Sequence, residues 1–247
     1  MTLLAILFLV SATLYSSVGF GGGSTYLALL LIWGTPYFIF PIVALSCNII
    51  VVSGNCFNYI RAGNLNLKLL LPYLVGSIPL AYIGGSFPIE KKIFEILLFL
   101  ALFTAGILLL LNFKSYKDEE NNLRKIPASI CIFIGGLLGF ISGVVGIGGG
   151  IFLSPILFLL RAAKAKHIVT TASLFILINS LSGIIGQLTK NSVLNEISNY
   201  WYFLIAVFIG GQIGNFLNLK ILPTRILALV TASLVLFVAI RIGIQLM

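Results

Sequence analysis

Charged residues are scarce in this sequence, and acidic ones are the scarcest. Only 9% of the 247 residues are Asp, Glu, Lys or Arg, with 6 acidic against 15 basic residues. A soluble globular chain normally carries about 25% charged residues. With 60% hydrophobic residues and a mean hydropathy of +1.15, the chain has more apolar surface than a soluble protein of this length can bury. The composition therefore indicates an integral membrane protein.

Side chains that usually carry catalysis or bind metals are also rare. There is one histidine, His167 in a basic loop, and three cysteines, Cys47, Cys56 and Cys131, lie inside apolar runs. An odd number of cysteines without Cys-x-x-Cys spacing argues against a disulfide framework or a zinc site. We find no nucleophile–base pair and no ligand cluster, so we expect no enzyme activity, no metal ion and no cofactor.

Asp, Glu, Lys and Arg are missing from the depth of every apolar run, and Glu95 and Arg241 lie only near run ends. Proton-coupled carriers often use a buried carboxylate, so coupling through such a group is not expected. The net charge of +9 comes from Lys and Arg in the short connections between runs. Positive charge there sets membrane orientation, and no separate basic face predicts a nucleic-acid partner.

Long charge-free runs are what the sequence has instead, and each is long enough for at least one span of roughly 20 residues. These runs are 2–60, 69–89, 126–160, 168–189 and 197–219. They predict an all-α, multi-pass protein of the cell (inner) membrane whose main partner is the lipid bilayer.

A glycine-rich motif occurs twice. Gly-Phe-Gly-Gly-Gly at 19–23 recurs as Gly-Ile-Gly-Gly-Gly at 146–150, and self-similarity of this kind indicates an internal repeat. The match extends downstream with small drifts, pairing Ser46 with Ser173, Ser53-Gly54 with Ser182-Gly183, and Arg61 with Lys190. We predict two homologous halves, 1–113 and 126–247, joined by a polar cytoplasmic linker at 114–125.

Each half divides into five hydrophobic segments, which gives about eight full spans or about ten segments in all. The predicted segments are 2–18, 24–33, 36–60, 66–86 and 91–113, then 126–145, 151–161, 165–188, 198–218 and 222–246. The second segment of each half is only about 15 Å long as a helix, half of a bilayer core. The glycine break therefore predicts a broken helix, either a re-entrant hairpin or a tilted pair of spans.

The basic residues indicate how the chain crosses the membrane. If each glycine break reverses the chain, most Lys and Arg residues fall on one side. If 2–34 and 126–161 each cross once, the basic residues divide almost evenly. The positive-inside rule favours the reversing topology. It places both termini outside and makes the second half inverted relative to the first, as in many transporters.

The glycine breaks are the main candidate site. Unpaired backbone at membrane depth is tolerated only where it is buried in protein or lines a cavity. The half-helices that follow the breaks would direct N-terminal amides, with partial positive charge, into the same region. Two such ends could bind an anion without a cationic side chain. Close helix packing through small residues is the alternative reading, as in Gly135-x3-Gly139-x3-Gly143 and Gly210-x3-Gly214.

Hydroxyl and amide side chains concentrate near the breaks and on the third segment of each half. Such neutral groups suit oxyanion oxygens, although each one alone is also explained by an interhelical or local hydrogen bond. The candidate substrate-binding residues are Ser17, Gly21, Gly22, Gly23, Ser24, Thr25, Asn48, Ser142, Gly148, Gly149, Gly150, Thr171, Ser173 and Asn179.

With these motifs, the sequence resembles the TauE/SafE family of sulfite and organosulfur exporters. The resemblance rests on Ser-Val-Gly-Phe-Gly-Gly-Gly at 17–23, Gly-Val-Val-Gly-Ile-Gly-Gly-Gly at 143–150 and Thr-Thr-Ala-Ser-Leu at 170–174. It covers nearly the whole chain and implies a carrier of sulfite, sulfoacetate or related sulfur anions with about eight spans. Where many members have Gly-Thr-Ser, this chain has Thr171-Ala172-Ser173, which leaves the substrate open.

The expected function is a secondary transporter of small sulfur-containing anions that works by alternating access around the two breaks. An anion channel on the same scaffold and a non-transporting membrane assembly protein are the alternatives. The sequence leaves import or export, the coupling ion and a homo-oligomeric state open.

Overall fold

The computed structural model of the chain describes residues 2–111, 123–190 and 200–218, together with helical residues 232–233, 236–237, 239–240 and 242–244. No β-strand occurs among these residues. Within the described residues, the continuous α-helices are α1 (Thr2–Ser16), α2 (Gly23–Ile32), α3 (Phe40–Arg61), α4 (Leu67–Ser86), α5 (Lys91–Leu111), α6 (Ala128–Val145), α7 (Gly150–Leu159), α8 (Ala165–Gln187) and α9 (Trp201–Asn218).

The predicted segments correspond closely to these helices, and the two short ones are α2 and α7. Four described helical stretches are long and apolar enough to cross a membrane: Tyr37–Arg61, Leu67–Ser86, Ala128–Val145 and Ala165–Gln187. The all-helical, multi-pass prediction is therefore confirmed. Most of the predicted linker 114–125, and most of the last segment 222–246, lie outside the described residues.

The short helix α2 folds back along α1. The rings of Phe8 and Tyr26 stack with centroids 4.8 Å apart. Two turns along α1, the Tyr15 hydroxyl lies 2.7 Å from Thr25 Oγ1 and 3.1 Å from Ser24 Oγ. Later residues of α1 thus contact earlier residues of α2, so the two helices form an antiparallel hairpin.

Glycines bring α4 and α6 into direct backbone contact. A Cβ added at Gly139 would overlap the carbonyl oxygen of Ser77, and one added at Gly143 would overlap that of Ala81. Because the later glycine of α6 contacts the later residue of α4, α4 and α6 run parallel. Side chains as small as hydrogen are what permits such close approach of membrane helices.

The same kind of contact joins α1 to α9. A Cβ at Gly210 would overlap the carbonyl oxygen of Leu9, and one at Gly214 would overlap that of Thr13. These helices also run parallel. The first helix of each predicted half therefore packs on the fourth helix of the other half.

Two further contacts give helix directions. Ser182 Oγ of α8 donates to the Ile78 carbonyl of α4 at 2.6 Å, and Gly186 packs on Tyr82 one turn later. Helices α4 and α8 are therefore parallel.

Helices α3 and α9 are parallel as well, because Val51 lies beside Gly211 and Asn58 donates to Asn215 Oδ1 at 3.0 Å.

Helices α3 and α8 cross the middle of the molecule in opposite directions. Leu45 contacts Gly183 near the start of α3. At the other end of α3, Tyr59 and Val169 meet beside Gly19. Early residues of α3 therefore contact late residues of α8, and late residues of α3 contact early residues of α8. The two helices are antiparallel.

We predict that Gly139→Ala destabilises the protein, because the added methyl group overlaps the α4 backbone. Overpacking of this kind costs about 1–3 kcal/mol, so the thermal unfolding temperature in detergent should fall. The matched control is Gly211→Ala, also within a helix, where the nearest atom to an added Cβ is 3.4 Å away. An equal unfolding temperature for the two variants would contradict the packing.

Candidate functional site

The two glycine breaks have closely similar backbone geometry. Left-handed conformations occur at the matched positions Gly19 (φ 85°) and Gly146 (φ 90°), and again at Gly22 (φ 90°) and Gly149 (φ 77°). Residues with a side chain rarely adopt these angles. The repeated motif therefore encodes a repeated turn, and the breaks differ at Gly148, which is also left-handed while Gly21 is not.

The half-helices after the breaks begin without side-chain caps. Gly22 precedes α2 and Gly149 precedes α7, and neither glycine has a side chain that could cap its helix. The first N–H groups of a helix have no acceptor within the helix. Both starts therefore present free N–H groups and the positive end of a helix dipole.

The two breaks touch each other. The position of a Cβ on Gly23 lies 2.8 Å from the carbonyl oxygen of Ile147. Asn48 of α3 joins the breaks, because its Nδ2 donates to that same carbonyl at 3.1 Å and its side chain packs on Gly21 and Gly23. We call this meeting point the junction.

Each break is held by the long helix that follows the other break. Asn48, on α3, donates to Ile147 of the second break. Ser173, on α8, donates to the Gly19 carbonyl of the first break. Both carbonyls would otherwise be unpaired at membrane depth, where each missing partner costs several kcal/mol. This reciprocal pair of hydrogen bonds fixes the two breaks relative to each other.

A small cavity lies at the junction and has room for about one water molecule. None of its lining residues carries a charge. The lining residues are Tyr15, Phe20, Gly21, Gly22, Gly23, Ser24, Ile147, Ile151 and Ile176.

Unpartnered polar atoms surround the junction. Asn48 Oδ1, Tyr26 Oη and Ser180 Oγ are buried and make no hydrogen bond. They lie against Gly21, Gly22 and Gly148 respectively. Leaving a buried polar atom unpaired costs about 1–3 kcal/mol. The junction therefore has unused hydrogen-bonding capacity, which a small polar ligand could satisfy.

Several of the predicted site residues come together here. Gly21, Gly22, Gly23 and Ser24 line the cavity, and Asn48 packs directly on two of them.

Across the junction, Gly148 lies beside Asn48 and Ser180, while Gly149 and Gly150 pack on Phe175 and Ile176 of α8.

Other predicted residues lie outside the cavity lining. Ser17 donates to the Leu14 carbonyl at 2.6 Å, and Asn179 donates to the Phe175 carbonyl of its own helix at 2.8 Å. Thr25 pairs with Tyr15. Ser142 and Thr171 are buried, and their hydroxyls have no partner.

Sequence reasoning missed the apolar part of the lining. Phe20 and Ile147 lie within the two glycine motifs and Ile151 directly follows the second, so their position was a usable signal. Tyr15 lies outside the motif, and Ile176 is one apolar residue among many on α8. No local pattern distinguishes these two residues.

The basic residues matched between the halves stand at helix ends. Arg61 is the last residue of α3, and Lys190 follows the end of α8. Lys190 Nζ donates to Gln187 Oε1 at 3.2 Å, and partial burial lowers the pKa of this lysine. Charge is thus available at these helix ends but not at the cavity.

We predict that Asn48→Ala lowers the thermal unfolding temperature, because it leaves the Ile147 carbonyl unpaired and separates the breaks. The expected loss is about 1–3 kcal/mol. Ser53→Ala is the control on the same helix, since Ser53 is exposed and bonds only to its own helix at Ile49. Equal stability of the two variants would show that Asn48 does not hold the junction.

The chain is similar to known proteins along nearly its whole length. The family model described as Sulfite exporter TauE/SafE matches residues 3–242. A probable membrane transporter protein of Sinorhizobium fredii is 27% identical over 97% of this chain and 96% of its own length.

One of Bacillus subtilis is 27% identical over 95% of this chain and 94% of its own length. A probable membrane transporter protein of Methanocaldococcus jannaschii is 25% identical over 94% of this chain and 91% of its own length. No solved structure matches the chain.

The glycine motifs, the multi-pass helical fold and the match of the family model agree, so the chain belongs to the sulfite exporter TauE/SafE family of membrane transporters.

Proposed function

We propose that the protein is a secondary transporter of small sulfur-containing anions, of the sulfite or organosulfonate type. The observation that carries this proposal is the junction, where the uncapped start of α2 lines an uncharged cavity together with Ile147 and Ile151 beside the uncapped start of α7. Helix N-termini favour anions through their free N–H groups and their dipole. The description of the matched family, which names sulfite, supports the class of substrate.

The chemistry of the junction suits an oxyanion that binds without a counter-charge. N–H and hydroxyl groups donate to sulfite or sulfonate oxygens, while isoleucine side chains exclude water around them. Neutral donors bind an anion moderately, which a carrier needs in order to release its substrate. A fixed Lys or Arg in the same place would hold the anion more strongly.

We also propose that the halves, 1–113 and 126–247, are inverted repeats. The contacts described above make α1, α3 and α9 parallel, make α4, α6 and α8 parallel, and make α3 antiparallel to α8. Helices α3 and α8 carry the matched Ser-Gly pairs of the two halves. Equivalent helices therefore run in opposite directions, which is the arrangement of inverted-topology transporters.

The same directions favour a reversal of the chain at each break. Helices α1 and α3 are parallel, so α2 must return the chain toward the side from which α1 started. This supports a re-entrant hairpin over a single tilted span. The loop after α3 and the start of α8 then lie on one side, consistent with the 2.8 Å bond from His167 Nδ1 to the Asn64 carbonyl.

Alternating access would have to open the junction, because the cavity is now large enough for only about one water molecule. A closed site between two repeats is expected of a carrier that exposes its site to each side in turn. With the protein in the inner membrane of a cell, the positive-inside rule predicts that the end of the molecule with Arg61 faces the cytoplasm.

We predict that the double variant Gly22→Ala/Gly149→Ala loses sulfite flux in proteoliposomes. The new methyl groups would lie 2.8 Å from Tyr26 Oη and Phe175 Cε1 and would obstruct both helix starts.

The control is Gly34→Ala/Gly63→Ala, which introduces left-handed alanines of about the same intrinsic strain, roughly 1–2 kcal/mol each, where no atom lies within 4 Å. Equal flux in the two folded double variants would exclude the junction as the site. Flux that saturates with sulfite and shows counter-transport is expected of a carrier, whereas flux without either property would indicate a channel.

The inverted topology makes a separate prediction. Ala62→Cys and Thr189→Cys, both at exposed positions, should react with a membrane-impermeant maleimide from opposite sides, Ala62→Cys from the cytoplasm. The three natural cysteines are buried, so the unmodified chain serves as the background. Labelling of both positions from the same side would contradict the inversion.

A further inference from the structure

Two helix seams occupy equivalent places in the two halves. Helix α4 packs on α8, and α9 packs on α3. The glycine pair Gly84-Gly85 of α4 faces α6 and α8, just as Gly210-Gly211 of α9 faces α1 and α3. The sequence match pairs Gly183 of α8 with Gly54 of α3. The two seams can therefore be compared position by position.

The α4/α8 seam is closed backbone to backbone. A Cβ added at Gly85 would overlap the carbonyl oxygen of Gly183, and one added at Gly186 would overlap that of Tyr82. The hydrogen bond from Ser182 to Ile78 lies in the same seam. No side chain separates the helices at these positions.

The α3/α9 seam is wider. A Cβ on Gly211 would lie 3.4 Å from Val51 Cα, an ordinary contact distance. Gly54 does not face a helix backbone, and its nearest neighbours are Asn215 Nδ2 at 3.1 Å and Gln212 Nε2 at 3.7 Å from the Cβ position. Side chains of α9 thus occupy the space that helix backbone fills in the other seam.

This wider seam is also polar. Asn58 Nδ2 donates to Asn215 Oδ1 at 3.0 Å, and Ser16 Oγ donates to the Gly211 carbonyl at 2.8 Å. Asn55 is completely buried between them, and its Nδ2 has no hydrogen-bond partner. With the Ser-Gly pairs aligned, the position matching Asn55 in α8 is Ile184. The buried Asn55 amide therefore has no polar counterpart in the α4/α8 seam, where the polar side chains Ser182 and Gln187 donate to backbone carbonyls.

The polar groups form a continuous series. Ser16 is the last residue of α1 and leads into the first glycine break. Asn55 and Asn58 follow on the same face of α3, one turn apart, and Arg61 lies one turn beyond them at the helix end. The series connects the basic end of the molecule with the junction.

We propose that the α3/α9 seam is the route by which a small oxyanion passes between the Arg61 end and the junction, with the Asn55 amide as a hydrogen-bond donor on it. The α4/α8 seam is the equivalent route from the Lys190 end, closed in this conformation. The proposal rests on the transport function proposed above. In the opposite state Gly54 closes on Gly211, and α4 separates from α8.

Two alanine substitutions test the proposal, one by favouring the present conformation and the other by favouring the opposite state. Gly211→Ala fits the present seam but would obstruct its closure, so it should hold the protein in this conformation. Gly85→Ala does not fit the closed seam and should favour the opposite state. Each is combined with Asn58→Cys, or with its matched position Gln187→Cys, and labelled from either side by an impermeant maleimide.

With Gly211→Ala, Asn58→Cys should react from the Arg61 end and Gln187→Cys should stay protected. With Gly85→Ala the ratio of the two labelling rates should shift toward Gln187→Cys by roughly tenfold, which corresponds to a population shift of about 1.4 kcal/mol. Unchanged ratios, or shifts in the same direction for both alanines, would overturn the proposal. If Gly85→Ala does not fold, the Gly211→Ala background is sufficient by itself. In that background, protection of Asn58→Cys or reactivity of Gln187→Cys would overturn the proposal.

These labelling rates are measured without substrate, so they remain valid if sulfite is not transported. The role of Asn55 is tested by Asn55→Leu, which removes a buried donor that has no partner. Flux should fall while the thermal unfolding temperature changes little, because the lost Nδ2 donor has no partner. Ser16 Oγ, which also donates to Asn55 Oδ1 at 3.4 Å, keeps its shorter bond to the Gly211 carbonyl. A lower unfolding temperature with normal flux would make Asn55 a purely structural residue.

Discussion

The fold depends on one constraint, namely that backbone exposed by a helix break inside a membrane must find its partners within the protein. Two breaks are present, and neither is satisfied by its own neighbours alone. Asn48 reaches from α3 to the second break, and Ser173 reaches from α8 to the first. This exchange brings α3 and α8 together in the centre of the molecule. The junction follows from it, because both helix starts are held against the same two helices.

Glycine has two distinct uses in this chain. In the breaks it supplies left-handed turns, and in α4, α6 and α9 it supplies contact between helix backbones. The turns of the breaks are conformationally fixed, since residues with a side chain are strained at these left-handed backbone angles. The second use is adjustable, because such helices can separate without breaking the backbone hydrogen bonds within either helix. The difference between the α4/α8 and α3/α9 seams is an expression of this second property.

The sequence predicted the helices and the breaks well, because hydropathy and the repeated GxGGG motif are local signals. It did not predict that α1 packs on α9 or that α4 packs on α6, since these contacts depend on the shapes of surfaces far apart in the chain. For the junction, the glycines, Ser24 and Asn48 were predicted as candidates, whereas Tyr15 and Ile176 were not. Hydroxyl groups such as Ser17 Oγ turned to their own helix, a choice that residue type alone does not determine.

The packing of α1 on α9, and of α6 on α4, between the two predicted halves bears on how the protein is made. During synthesis α1 enters the membrane long before α9 exists, so its glycine-contacting surface must wait for a partner that is synthesised near the end of the chain. The first half therefore cannot complete its native packing alone, and α9 completes the packing of α1 only after it has been synthesised. A ribosome that stalls before α9 would leave a membrane-inserted but unfinished protein, with the surface of α1 exposed to lipid and available to quality-control proteases.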